Sequence, residues 1–184
     1  MKKPHLLLAH QLWESHLKPT DLAIDMTVGN GHDTLFLVKL LPEGQVIGFD
    51  IQEKAIEATR TRTEGHSLRV QLFSCSHTEL KNISLPDSPR LIVYNLGYLP
   101  GGDHSITTQV DTTLESLDDA LALLDLGGAL SITCYPGHDE GKREEEAVFA
   151  WAKSQDGVNV SIHQWLERER APSLVWVKKG LERL

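Results

Sequence analysis

One decapeptide constrains this chain more than any other feature: Asp25-Met26-Thr27-Val28-Gly29-Asn30-Gly31-His32-Asp33-Thr34. It follows an apolar stretch and precedes a helix-like one. The next apolar run, Gln45-Val46-Ile47-Gly48-Phe49-Asp50, ends in a carboxylate. Strand, glycine turn, helix and a second strand closed by an acid are the opening unit of an open α/β sheet that holds an adenosine cofactor. The glycines let the backbone approach a ligand, and the helix start offers unpaired N–H groups. Asp50 is placed to accept both ribose hydroxyls. Position 34 is Thr, so the full G-x-G-x-x-G is absent. The third glycine of that motif packs helix on strand near a pyrophosphate. Its loss argues against a dinucleotide and for a cofactor without phosphates.

The rest of the chain continues the alternation. Leu6, Leu7, Leu8, Leu12, Trp13 and Leu17 predict an N-terminal helix. Strands are expected at 22–25, 46–50, 68–73, 91–95 and 129–135. Helices are expected at 34–41, 52–64, 107–126 and 140–154. Two closing strands, 158–165 and 174–177, follow. This pattern predicts a doubly wound, Rossmann-like sheet, mostly parallel, with an antiparallel closing strand and an added N-terminal helix.

The chain has 184 residues, enough for one domain spanning 1–184. No apolar run reaches the ~18 residues that cross a bilayer. The block Leu6-Leu7-Leu8-Ala9 is too short for a secretory leader, so the expected setting is the cytoplasm. Cys75 and Cys134 form no CxxC pair and read as small buried thiols at strand ends. No histidines stand at H-x-x-x-H or H-E-x-x-H spacing, so no metal is expected. No G-x-S-x-G elbow is present, which argues against a hydrolase triad. Trp13, Trp151, Trp165 and Trp176 are expected on helix or strand faces, packed inward. The net charge of −8 disfavours broad nucleic-acid binding, although bases gather at 60–69 and 168–183.

Four segments fall beyond the carboxyl ends of predicted strands, where such sheets bind ligands. They are Thr27 to Asp33, Asp50-Ile51-Gln52, Cys75-Ser76-His77, and Asn95-Leu96-Gly97-Tyr98-Leu99-Pro100-Gly101-Gly102-Asp103. Together with Tyr135-x-Gly137-His138-x-x-Gly141 they resemble the class I S-adenosylmethionine-dependent methyltransferases. More narrowly, they resemble the small bacterial putative rRNA methylase family. The resemblance covers nearly the whole chain. It implies S-adenosylmethionine as cofactor and tRNA as partner, through the anticodon loop. The implied reaction is methylation of the 5-aminomethyl group on the wobble uridine, position 34.

Carried onto these residues, the resemblance assigns the ribose to Asp50. It assigns the methionine and ribose to Thr27, Gly29, Asn30 and Gly31, and the adenosine border to Gln52. Ser76 and His77 stand where such enzymes place an acid near adenine, so backbone groups or the His77 ring are expected to read its edge. Asn95-Leu96-Gly97-Tyr98 resembles the Asn-Pro-Pro-Tyr motif of amino-group methyltransferases, with both prolines replaced. That likeness gives Asn95 and the Leu96 carbonyl the target amine and gives Tyr98 the base. An ammonium must lose its proton before attack, and Asp103, His138 and water are the candidate acceptors. Arg168 and Arg170 are candidate phosphate partners in a segment that departs from the family pattern. Two alternatives stand: a methyltransferase for another RNA or a small molecule, and a non-catalytic S-adenosylmethionine-binding protein. Either a monomer or a homodimer suits the sequence.

Overall fold

A computed structural model describes residues 3–97, 108–165 and 170–181. In chain order the elements are α1 (Pro4–His16), β1 (Leu22–Asp25), α2 (His32–Leu40), β2 (Gln45–Asp50), α3 (Glu53–Arg62) and β3 (Val70–Ser74). Then come β4 (Leu91–Asn95), α4 (Val110–Leu123), β5 (Ala129–Cys134), α5 (Asp139–Ser154), β6 (Val158–His163) and β7 (Ser173–Lys179). Short 3-10 segments at Glu64–Arg69 and His77–Asn82 flank β3.

The seven strands form one sheet in the order β3-β2-β1-β4-β5-β7-β6. β7 runs antiparallel to both neighbours, and the remaining pairs are parallel. This is the doubly wound sheet with one antiparallel closing strand that the alternation predicts. Every residue of β1 and β5 is buried, as is Leu91–Tyr94 of β4. Strands covered on both faces carry continuous apolar runs, which is how they read in the sequence. The edge strand β6 instead alternates half-buried and exposed residues.

The pleat sorts side chains onto two faces. Ile24, Ile92, Tyr94, Leu130 and Ile132 join the core beneath α4 and α5. Ala23, Leu91, Val93 and Ala129 join the core that α1 and α2 cover. By the same period Asp25 and Asn95 point to the α1–α2 face. The order of strands reverses between β1 and β4, and their carboxyl ends open the crevice where such sheets bind ligands.

Several local expectations change. α1 turns His5, Ala9 and Trp13 inward at i, i+4 spacing, whereas Leu7 is exposed. Trp13 donates from Nε1 to Ser131 Oγ at 2.9 Å, and Leu8, Leu12 and Leu17 pack half-buried against the same core. β3 starts at Val70, because Leu68 lies exposed in the preceding 3-10 segment. α4 runs from Val110 to Leu123, shorter than 107–126 at both ends; residues 108 and 109 precede it as irregular chain. β6 stops at His163, leaving Trp165 outside any strand and edge-on to His5. Cys134 is buried, whereas Cys75 is only half-buried.

Candidate active site

The glycine turn is held from below by α3. Gly29 and Gly31 have φ of 51° and 75°, a region that costs little only without a Cβ. A Cβ on Gly31 would also come within 2.8 Å of the Thr59 backbone, so the turn and α3 can approach this closely only through glycine. Thr59 Oγ1 donates to the Gly29 carbonyl at 3.1 Å, and Arg62 Nε donates to the Asn30 carbonyl at 2.6 Å. With their carbonyls tied to α3, the two residues keep a fixed backbone beside the crevice.

Thr34, at the position of the missing third glycine, donates from Oγ1 to Asp25 Oδ2 at 2.7 Å. Asp25 Oδ1 accepts the Thr27 N–H at 3.2 Å. Asp25 is fully buried, and desolvation, reinforced by the nearby Asp33 charge, pushes its carboxyl up to about 7. The hydroxyl at position 34 thus satisfies a buried acid, a need no glycine could meet.

Asp50 closes the turn against β2. Its Oδ2 accepts the Gly29 N–H at 3.0 Å and its Oδ1 accepts the Gln52 N–H at 2.9 Å. Burial raises its carboxyl above the usual range, against the pull of those two amides. Each oxygen keeps a lone pair, so two ribose hydroxyls fit the carboxylate as it stands. Ile51 beside it is 57% exposed, an apolar side chain waiting for a flat apolar partner. Gln52 is half-buried and precedes the first turn of α3.

Across the crevice, the Asn95 N–H donates to Thr27 Oγ1 at 2.7 Å, joining the ends of β1 and β4. Its side-chain Nδ2 donates to Asp33 Oδ2 at 3.0 Å. A carboxylate only accepts, so this bond fixes the amide and leaves Oδ1 as the acceptor face. Asp33 Oδ1 in turn lies 2.8 Å from Nε2 of His10. The chain Asn95–Asp33–His10 therefore links β4, α2 and α1. Neither Asp33 nor His10 was singled out as a functional side chain in the sequence, because a contact 62 or 23 residues away leaves no local signal.

Other expected residues lie elsewhere. Ser76 caps the 3-10 segment His77–Asn82, accepting the Thr78 N–H at 3.2 Å. The His77 ring is buried edge-on to Tyr94 and beside the Thr112 carbonyl of α4, and burial lowers its pKa. The ring thus packs into the contact with α4. His138 is the cap of α5, its Nδ1 accepting the Gly141 N–H at 3.0 Å. The lone pair a proton would need is thus committed, which counts against His138 as the acceptor. Tyr98, Asp103 and Arg168 lie outside the described residues. Arg170 is exposed and reaches the Gly137 carbonyl at 3.4 Å. Among the described residues no group of three or more His, Cys, Asp or Glu side chains is arranged to hold a metal, and no helix is long and apolar enough to cross a membrane.

The charge of the crevice tests which cofactor fits. Asp25, Asp33 and Asp50 surround the glycine turn, and Asp25 feels the charge of both others. A pyrophosphate would be repelled there, whereas a sulfonium and a free amino group would be attracted. Free ribose-accepting lone pairs on Asp50 and the exposed Ile51 suit adenosine. The sheet order and this site define a class I S-adenosylmethionine-dependent methyltransferase.

Comparison with known proteins narrows the class. The family model described as Putative rRNA methylase matches residues 46–179, and the chain belongs to that family. It is 36% identical to the chloroplastic tRNA (mnm(5)s(2)U34)-methyltransferase of Arabidopsis thaliana, over 94% of this chain and 68% of that protein. The crystal structure of a putative rRNA-methylase from Clostridium thermocellum is 35% identical, with a TM-score of 0.91 over 97% of this chain and 98% of that one. A putative methyltransferase from Streptococcus mutans, solved in complex with SAH, is also 35% identical. Its TM-score is 0.86 over 97% of this chain and 99% of that one.

Proposed function

We propose that this chain transfers a methyl group from S-adenosylmethionine to the 5-aminomethyl group of the wobble uridine, position 34, of tRNA, giving 5-methylaminomethyluridine. The observation that carries this reading is the side chain of Asn95. Its Nδ2 is tied to Asp33, which leaves Oδ1 to accept an N–H from a primary amine. The Arabidopsis relative, whose name specifies that nucleoside, supports the choice of amine.

When bound, S-adenosylmethionine supplies an electrophilic methyl on a sulfonium. The protein's part is placement. Asp50 accepts the ribose hydroxyls, Ile51 covers the adenine, and the Gly29–Gly31 backbone borders the methionine. Asn95 Oδ1 and the Leu96 carbonyl accept N–H bonds from the amine, which must sit in line roughly 3 Å from the methyl carbon. Tyr98 stacking on the base and Arg168 or Arg170 on phosphates complete the reading, with the cytoplasm as the proposed setting.

The test is methyl transfer from radiolabelled S-adenosylmethionine to bulk tRNA from bacteria able and unable to make the 5-aminomethyl precursor, with nucleoside mass analysis. Label only on precursor-bearing tRNA, as 5-methylaminomethyluridine, is the expected result. Equal label on both would keep the enzyme class and discard the wobble position. No label with cofactor binding intact would remove the tRNA reading.

A further inference from the structure

The aminomethyl reading requires that an ammonium lose a proton, and the described residues narrow where it goes. Asp25 is fully buried, so it has no open edge from which a proton could leave. Asp50 belongs to the ribose end. His138 Nδ1 is engaged as a helix cap. Asp33 differs from all three. It touches Asn95 directly, at 3.0 Å, and its side chain keeps 14% of its surface open. One lone pair on each oxygen remains after Asn95 and His10 are counted. His10 is held firmly. Its ring stacks on Phe36 with centroids 3.8 Å apart and lies 4.9 Å from the Trp13 ring. Nε2 must be the donor to a carboxylate, so His10 anchors Asp33 from behind.

We propose that Asp33 receives the target ammonium beside Asn95 and takes its proton, with His10 as the positioning residue that aims the carboxylate. This rests on the aminomethyl reading above. In the step, an N–H bond of R–CH2–NH3+ breaks, its electron pair stays on nitrogen, and the proton goes to an Asp33 oxygen. The freed lone pair forms the N–CH3 bond while the S–CH3 bond breaks, its pair going to sulfur. The product is a secondary ammonium and a neutral thioether. Asp33 then returns its proton to solvent through its open edge. The carboxylate thus does two things for one substrate: it pairs with the cation and it orients the amide that will hold the neutral amine.

Asp33→Asn separates this role from a merely structural bridge. The amide keeps an acceptor for Asn95 Nδ2 and stays within bonding reach of the His10 ring, but it carries no charge and no basic oxygen. The titratable groups facing Asp33 are His5 and His10 from α1, Asp25 from β1 and Tyr135 after β5, and all stay in the variant. On precursor-bearing tRNA, kcat is expected to fall at least about 100-fold, a far larger change than the weakening of S-adenosylmethionine affinity that loss of one crevice charge brings. The residual rate should climb about tenfold per pH unit between about pH 7 and 9, as solution supplies the neutral amine, while the wild-type rate climbs less. Asp33→Glu, which keeps a carboxylate, should recover part of kcat and guards against a folding defect in the first variant. Wild-type kcat in Asp33→Asn would overturn the proposal. So would a loss confined to cofactor affinity or KM with no steeper pH dependence. A wild-type enzyme inactive on this tRNA would instead remove the functional reading, and this assignment with it.

Discussion

Asn95 and Ile51 occupy opposite ends of one crevice, and their substitutions should fail differently. Asn95→Ala removes the acceptor for the amine and leaves the adenosine end untouched. Turnover should drop sharply, by about 100-fold or more, while S-adenosylmethionine affinity in a calorimetric titration stays near wild type. Ile51→Ala removes exposed apolar surface that adenine would cover in the proposed binding mode. Affinity should weaken by about 1–2 kcal/mol in the same titration, with little change in the stability of the free protein. Asp25 makes a third kind of prediction. Its carboxyl is raised from 3.8 to about 7, so the folded state holds a proton that the unfolded chain has already released. Wild-type stability should therefore fall as pH rises through that window, by up to a few kcal/mol. Asp25→Asn keeps both hydrogen-bonding positions without the charge. Its stability relative to wild type should improve from about pH 4 to about pH 7 in denaturant titrations, and a constant difference would refute the linkage. Candidate positions were legible in the sequence where the group sits on the glycine turn or at a strand end, as the places of Asp50 and Asn95 at the ends of β2 and β4 show. Thr34 was read only as a missing glycine, because the buried acid it serves is defined by three dimensions.

At the scale of elements, periodicity located the five α-helices and seven strands of the described residues, since alternation of apolar runs with breakers survives any tertiary detail. Boundaries moved where a turn competes with a strand, as before β3, or where apolar spacing runs past the packed face, as in α4. The apolar spacing of α1 took in Trp13, Leu8, Leu12 and Leu17, which pack on the core, and Leu7, which is exposed; the buried Trp13–Ser131 hydrogen bond leaves no trace in that spacing. Trp13→Phe keeps most of the ring but leaves Ser131 Oγ without its donor in a buried place. A loss of about 1–3 kcal/mol is expected from the denaturant midpoint. Turnover should fall as well, because the same helix carries His10 to Asp33.

Across the whole molecule the sequence reading meets its hardest tension: a net charge of −8 on a chain proposed to bind RNA. The acids concentrate where cations are wanted, around a sulfonium and an amine, and in the 111–125 and 139–146 stretches. Contact with phosphates is then local. The slope of log K against log salt for tRNA binding should be shallow, about −3 or smaller in magnitude, corresponding to only a few phosphates. A steep slope, near −6, would instead require a wider basic surface, one that recruits the bases gathered at 60–69 and 168–183 together.

The route from Asn95 through Asp33 to His10 has a practical consequence for anyone purifying this protein. The family model begins at residue 46, so a fragment chosen by that boundary would omit β1, the glycine turn and α1 together. A milder loss is more deceptive. α1 sits at the very start of the chain and joins the sheet by a single helix face, so a protease nick near Leu17, or a bulky fusion before Pro4, would spare all seven strands and the ribose-binding acid. Such a preparation would still capture cofactor and still melt cooperatively. It would also be silent on tRNA, and a worker who trusted its binding and melting as proof of integrity would file a damaged enzyme among the non-catalytic ones.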